Sequence, residues 1–453
     1  MSRARPRRIA DPSHCGIVTV LRRSLLVGRS KGGAGITSGR RLSFTGLFPL
    51  FAWATLVCGV LVTLCGALLA WRAWRMAGPP KARRRAQVAL ILPLTGPVPG
   101  FGRLVAALEA QTLRPERLIV AVESLDDPAF GQVRAFEGRT RFALRIVVAG
   151  HAVDQAQKCR NQQAALAVLD GSPDVVALMD GDIVPQTWWL SALASPLMDG
   201  TADVVIGRRW QQVAGRRLGA HLVAAIDRPL ALLPRLSRED ASVIWGGSAA
   251  FSRAATARMD LRAALDRTLA DDLSLADHAA AAGLRVLTRG SLLAPTPASH
   301  DVLEAWSFGR RQHQICHIYR PKLWWLALLT IASRLGAFAV GAVVVPGAEG
   351  AAAVTVICAL SALRQALVGD VGRKLGMPDS VSVRAVQIAL GAAQPLVDLF
   401  HISVILGAAW TRRVSWGHVD YAVRGRRDIR VAARRSFESP APMGETLDHP
   451  QTW

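Results

Sequence analysis

No two of the six cysteines (Cys15, Cys58, Cys65, Cys159, Cys316 and Cys358) stand in CxxC spacing, and Cys58, Cys65 and Cys358 lie in apolar segments. A disulfide scaffold and a structural zinc site are therefore excluded, and the cysteine usage fits a reducing compartment. Acidic residues are also scarce: 33 Asp and Glu stand against 55 Lys and Arg, for a net charge of +22. That balance raises nucleic acid as a partner. However, aromatics are only 6% of the chain and are not interleaved with the basic residues as stacking platforms, so the pattern speaks against nucleic acid. The basic residues are scattered or flank apolar runs, which points to anionic lipid headgroups instead.

Charge of either sign is missing altogether between Arg41 and Arg72. Residues 46–71 are apolar almost throughout and long enough to cross a bilayer as a helix, with Trp53 and Trp71 suited either to interface level or to a buried helix. The run is too long and starts too late for a signal peptide. Arg and Lys cluster on both sides of it (Arg3 to Arg41 before, Lys81 to Arg85 after), so positive-inside counting gives no orientation for this helix. A hydrophobic fraction of 51% over 453 residues, with mean hydropathy +0.25, fits two or three domains with a membrane component.

Residues 1–42 read as a basic, poorly ordered tail, or as an extension ahead of the protein's true start. From residue 87 to 320 short β-rich runs (Val88 to Leu92, Arg117 to Val122, Leu144 to Val148, Val175 to Met179, Val204 to Gly207) alternate with helical patterns such as Gly102 to Gln111 and Lys158 to Leu169. This alternation predicts an α/β domain with a mainly parallel sheet covered on both faces. Residues 323–410 turn apolar again, with candidate spans at Leu323 to Val345, Ala351 to Val368 and Val386 to Trp410. Arg334, Pro395, Asp398 and His401 fall inside them and are expected to face other helices, a cavity or the interface. Three full crossings would separate the ends of this region, yet the basic residues 411–453 read as a cytoplasmic tail. One segment is therefore expected to be re-entrant or interfacial.

The run Val175 to Met179 stops on Asp180-Gly181-Asp182. A carboxylate pair at the carboxyl end of a buried strand sits where open α/β sheets place their ligands. It can hold a hard divalent cation and, through it, a diphosphate. On the tripeptide alone an ordinary surface turn is the competing reading.

The surrounding motifs decide between the two. Leu90 to Gly96 with Pro93, a helix ending at Gln111 to Pro115, and Leu118 to Glu123 are similar to the opening of a family 2 glycosyltransferase. Lys158-Cys159-Arg160-Asn161 resembles the Lys-x-x-Asn of ceramide glucosyltransferases and their bacterial relatives, including hopanoid-associated ones. The acid turn, Pro185 and Pro196-Leu197 follow in family order. Trp245-Gly246-Gly247-Ser248 resembles the family's glycine-rich acceptor loop, although a tight turn would also suit it. Asp271-Asp272 matches its later acid pair, which the dipole at a helix start would also favour. The closing motif departs from the usual Gln/Arg-x-x-Arg-Trp, reading Arg311-Gln312-His313-Gln314-Ile315. Pro395 to Leu399 and Arg412 to Trp416 resemble the carboxyl end of the same proteins, so the likeness covers about residues 46 to 425.

The resemblance implies a GT-A, Rossmann-like domain between an N-terminal transmembrane helix and a C-terminal group of membrane helices. It implies transfer of a hexose from a UDP-sugar, UDP-glucose foremost, to a lipid hydroxyl with inversion. A ceramide-type acceptor is favoured over hopanoids, other lipids or UDP-GlcNAc chemistry. Asp272 would be the catalytic base, and Asp180 and Asp182 would hold Mg2+ or Mn2+. Pro93, Glu123, Lys158, Asp180, Arg310 and Arg311 would bind the nucleotide-sugar, and Trp245, Gly246, Gly247, Asp271 and Gln314 the acceptor. The site would face the cytoplasm from a bacterial-type inner membrane. A processive polysaccharide synthase and a non-catalytic membrane binding protein are the rival readings.

Overall fold

The computed structural model describes residues 44–80, 85–234, 243–345, 347–410 and 412–437. The expected tail 1–42 and the cluster Lys81, Arg83 and Arg84 lie outside the described residues.

The chain starts with α1 (Phe44–Met76), then enters a seven-stranded sheet in the order β3-β2-β1-β4-β6-β5-β7. Its first half is β1 (Val88–Pro93), α2 (Phe101–Glu109), β2 (Arg117–Val122), α3 (Pro128–Arg134), β3 (Ala143–Val148), α4 (Gln157–Ala167) and β4 (Val175–Met179). β1 pairs in parallel with both β2 and β4, and every residue of β1 and β4 is buried. Their unbroken apolar runs belong to central strands covered on both faces, as read from the sequence. One face packs α2, α3 and α5 (Trp189–Met198). The other packs α4, α8 (Leu261–Ala264) and α9 (Asp271–Ala281).

The second half is less regular. β5 (Val204–Val213) leads through α6 (Leu218–Ala231) to β6 (Ser248–Ser252), which runs antiparallel to both β4 and β5. Ser-Ala-Ala-Phe-Ser carries no β-branched residue and a single aromatic, Phe251, so its composition marks a strand only weakly. α7 (Arg253–Arg258) follows β6 directly, and β7 (Val286–Ala298) lies at the sheet edge, where its Pro295 and Pro297 are tolerated. α10 (Val302–Tyr319) is opened by a capping box between Asp301 and Glu304.

Beyond α10 come α11 (Pro321–Ala339), which runs into a short π-helical stretch, then α12 (Ala348–Lys374), α13 (Val381–Ala392) and α14 (Gln394–Ala409). Residues 49–76, 321–344 and 348–374 form three helices long and apolar enough to cross a membrane. Gly59 lets α1 and α11 touch, since a Cβ there would lie 2.3 Å from Ala337 Cβ. α13 and α14 form a pair bent by 82°.

Two anchors fix how that pair runs. After α12, Asp379 takes a bidentate ion pair from Arg228 of α6 at 2.6 and 2.8 Å. After α14, the Arg413 carbonyl accepts from Gln314 of α10 at 3.1 Å. Both ends of the bent pair are thus tied to the α/β domain. A pair bent in this way has the form of a broken span or of a re-entrant segment. The buried polar groups face one another there: Arg334 pairs with Asp398, Gln394 donates to Asp398 at 2.8 Å, and Arg364 donates to Gln394 at 3.0 Å.

The sequence reading of residues 411–453 as a tail is corrected over 413–434. They form β8 (Arg413–Trp416), β9 (Val419–Gly425) and β10 (Asp428–Arg434), a three-stranded antiparallel sheet. The alternation Val419, Tyr421, Val423 buries one face against the α/β core, and the charged residues between them mask that period in composition.

Candidate functional site

The site lies at the carboxyl ends of β1 and β4, in a cavity of about 1670 Å3. Pro93, Lys158, Asp180, Asp182, Trp245, Asp271, Asp272 and Arg311 all line it. β4 ends at Met179, so Asp180-Gly181-Asp182 projects from the sheet. α4 begins at Gln157 and carries Lys158 in its first turn.

Lys158 is the hub. Its Nζ lies 2.7 Å from Asp180 Oδ1 and 3.0 Å from Asp271 Oδ2, and Gln162 Nε2 donates to that same Asp271 oxygen at 3.0 Å. Burial alone would lower the Lys158 pKa, but the two carboxylates hold it above its ordinary value. For Asp180, burial pulls upward, yet Lys158 and then Arg209 hold its carboxyl below the usual range. Asp182, with less compensation, is raised by burial against the pull of Arg209. Asp272, at the start of α9, is pushed up to about 7 by burial and by its neighbour Asp271. A carboxyl that titrates near neutrality is suited to taking a proton.

Trp245-Gly246-Gly247 closes over these acids. The turn is real, with Ser248 N donating to Trp245 O at 3.0 Å, but the glycines answer to packing. A Cβ on Gly246 would sit 2.1 Å from Asp271 Oδ2, and one on Gly247 would sit 2.5 Å from Asp180 Oδ2. The loop also brings the Trp245 side chain into a hydrogen bond with Asp180.

Five expected site residues are off the cavity wall: Gly246 and Gly247, packed against Asp271 and Asp180, and Arg310, Gln314 and Glu123. Arg310 points away, donating to the Gly407 carbonyl at 3.2 Å and stacking on Trp306. Gln314 is buried, with its amide on Arg413 O. Glu123 is 1% exposed and enclosed by Arg434, His151 and His418.

Sequence reasoning missed Arg209 of β5. Its guanidinium lies 3.7 Å from Asp180 Oδ2 and over the rings of Trp245 and Phe308, at 5.4 and 5.8 Å. Arg311 stacks on Phe308 and Trp416, at 5.5 and 5.6 Å, and is lowered to about 10 by burial and by Arg209. The only signal for Arg209 was its place just beyond the β-rich run ending at Gly207.

Among the described residues no group of three or more His, Cys, Asp or Glu side chains could hold a metal ion. Asp180 and Asp182 offer hard oxygen donors on one cavity wall. That set fits Mg2+ or Mn2+ of the kind bound through one or two carboxylates plus substrate phosphates.

A parallel-rich α/β sheet with an acid pair and a lysine at the carboxyl ends of its central strands, and a second acid pair at a helix start, is the arrangement that the resemblance to GT-A glycosyltransferases implies. The chain belongs to glycosyl transferase family 21, whose model matches residues 52–429. The motif likeness had pointed to family 2, and the acids that carried it lie inside the matched span. Similar solved structures include mannosyltransferase PcManGT from Pyrobaculum calidifontis in complex with GDP-Man and Mn2+, at 17% identity over 79% of this chain and 97% of that chain, TM-score 0.41. Glucosyl-3-phosphoglycerate synthase from Mycobacterium tuberculosis in complex with phosphoglyceric acid is 15% identical over 65% of this chain and 82% of its own, TM-score 0.30. S. aureus TarS 1-349 in complex with UDP-GlcNAc is 11% identical over 66% and 90%, TM-score 0.32. No curated protein matches the chain.

Proposed function

We propose that this protein moves one hexose from a UDP-sugar, UDP-glucose foremost, to the hydroxyl of a membrane lipid with inversion, with a ceramide-type acceptor favoured. The observation that carries the reading is the Lys158 bridge between Asp180 and Asp271, which joins the donor-side acid to the pair containing Asp272.

Asp180 and Asp182 would hold Mg2+ or Mn2+, which supplies charge stabilisation to the departing diphosphate. Lys158 and Arg311 add positive charge on the same cavity wall. Asp272 accepts the proton of the acceptor hydroxyl as its oxygen attacks the anomeric carbon from the face opposite the nucleotide. Trp245, on the cavity wall, would meet the acceptor, with Gly246 and Gly247 letting its loop pack against Asp271 and Asp180. Pro321, Lys322 and Leu323, the first turn of α11, also line the cavity, which supports entry of a lipid headgroup from the membrane surface. Arg412, Arg413, Arg424, Arg426 and Arg427, which follow the last membrane helix, support a cytoplasmic face of a bacterial-type inner membrane.

The test is Asp272→Asn in detergent-purified protein. Transfer should vanish while calorimetry still reports Mn2+-dependent UDP binding near the wild-type affinity. Retained turnover would remove Asp272 as the base, and absence of Mn2+-dependent UDP binding in the wild type would remove the donor reading.

A further inference from the structure

The β8–β9 hairpin turns at Gly417-His418, with Gly417 at φ +58, and its tip reaches the carboxyl ends of β1 and β2. This is the crevice where open α/β sheets bind nucleosides. The tip is tied in place. Arg435 N donates to the His418 carbonyl at 2.8 Å, Arg435 Nη2 donates to Gly417 O at 2.7 Å, and Tyr421 Oη accepts from Gln157 N at 3.0 Å. Trp416, Gly417, His418, Val419, Tyr421 and Phe437 line the cavity, so chain that follows the last membrane helix completes its wall.

Glu123 lies beneath this hairpin. Arg434 pairs with its Oε1, and Arg434 is itself held by Ala152 O at 2.7 Å and Gln157 Oε1 at 3.0 Å. His151 Nδ1 is 2.6 Å from Oε1, and His418 Nε2 lies 3.0 Å from Oε2, an ion-pair distance at which Oε2 has no hydrogen-bond partner. The carboxylate is thus enclosed by this chain's own cations and rings, whereas the His418 ring is on the cavity wall. A base entering the crevice meets His418 before it can meet Glu123. The Phe437 ring, 4.4 Å from that of His418, packs against Gly96 and adds an apolar face beside it.

The chemistry of the dyad says what the histidine would read. A carboxylate 3.0 Å from Nε2 favours the proton on that nitrogen, and the Nε2–H tautomer offers Nδ1 as an acceptor. An acceptor complements an imide N–H, as on N3 of uracil. It does not complement cytosine, whose N3 is itself an acceptor. We propose that His418, oriented by Glu123 and carried by the carboxyl-terminal sheet, is the specificity-determining contact for the nucleobase and selects an imide base. This assignment rests on the nucleotide-sugar donor reading above.

UDP and CDP differ only at that edge, so their affinities are the test. In the full-length protein with Mn2+, calorimetry should give UDP about tenfold or more tighter than CDP, the scale set by leaving one buried polar group unpaired. His418→Ala should bring the two within about threefold by weakening UDP, as expected when that pairing is lost. Glu123→Gln, which keeps the shape but frees the tautomer, should narrow the ratio as well. If His418→Ala loosens the carboxyl-terminal sheet, seen as new trypsin cleavage within 413–434, His418→Gln decides instead. Its amide presents either an acceptor or a donor, so it should bind UDP and CDP within about threefold while the sheet stays intact. A wild-type UDP to CDP ratio in both His418 variants, or equal binding of UDP and CDP by the wild type, would overturn the assignment while leaving the donor reading intact. Failure of the wild type to bind either nucleotide with Mn2+ would overturn both.

Discussion

Lys158 Nζ stands 2.7 Å from Asp180 and 3.0 Å from Asp271, so a single ammonium couples the acid at the end of β4 to the acid at the start of α9. Replacing it by methionine leaves two carboxylates facing each other without their shared counter-charge. Removing one partner of a buried ionic cluster costs about 3–5 kcal/mol. Lys158→Met is therefore expected to lose measurable transfer and to lower the melting temperature, read by differential scanning fluorimetry of the detergent-solubilised protein. Unchanged stability and turnover would show that the bridge is incidental.

Asp272 is held at about 7, and a base works only when unprotonated. The sign follows: kcat/KM should rise with pH through about 7 and level off above it, falling close to tenfold per unit well below. A pH profile of initial rates at subsaturating donor checks this. A profile flat from pH 5 to 8 would assign the proton transfer elsewhere.

Gly246 and Gly247 have no room for a methyl group against Asp271 and Asp180. Gly246→Ala should displace the Asp271 side and lower kcat/KM by about 100-fold, the usual penalty for a misplacement near 1 Å. The fold should persist, which circular dichroism can verify. Near-normal kinetics would mean that the acids tolerate movement.

These contacts show what could be read in the sequence and what could not. The strand Val175 to Met179 was legible as a continuously apolar run, whereas Asp180-Gly181-Asp182 alone fits a surface turn and only the order of the surrounding motifs favours a site there. Arg209 was not legible, because a basic residue in a strand looks solvent-facing until Trp245 and Phe308 arrive from distant segments to cover it. The carboxyl-terminal sheet escaped for a similar reason. Its arginines dominate residues 412–435 and hide the alternation of Val419, Tyr421 and Val423. Glu123 was located correctly at the end of β2, but its enclosure by Arg434 depends on a contact spanning 311 residues.

Arg334, Arg364, Gln394 and Asp398 form one polar network between apolar helices, with a single carboxylate for two guanidiniums. Asp398→Asn removes the only negative charge of that set. A cost of about 3–5 kcal/mol is expected for stranding the buried cations. The check is the monodisperse fraction after detergent extraction, which should drop sharply and recover in part when Arg334→Met is added. No loss in the single variant would mean that the network is hydrated.

The most direct test of the central claim is incubation of membranes containing this protein with isotope-labelled UDP-sugars, Mn2+ and total lipid extract, followed by mass spectrometry of the organic phase. One hexose added to a lipid hydroxyl, dependent on the divalent ion and absent with Asp272→Asn, is the expected result. Label found only in a polymer, or no labelled lipid with any UDP-sugar, would contradict it.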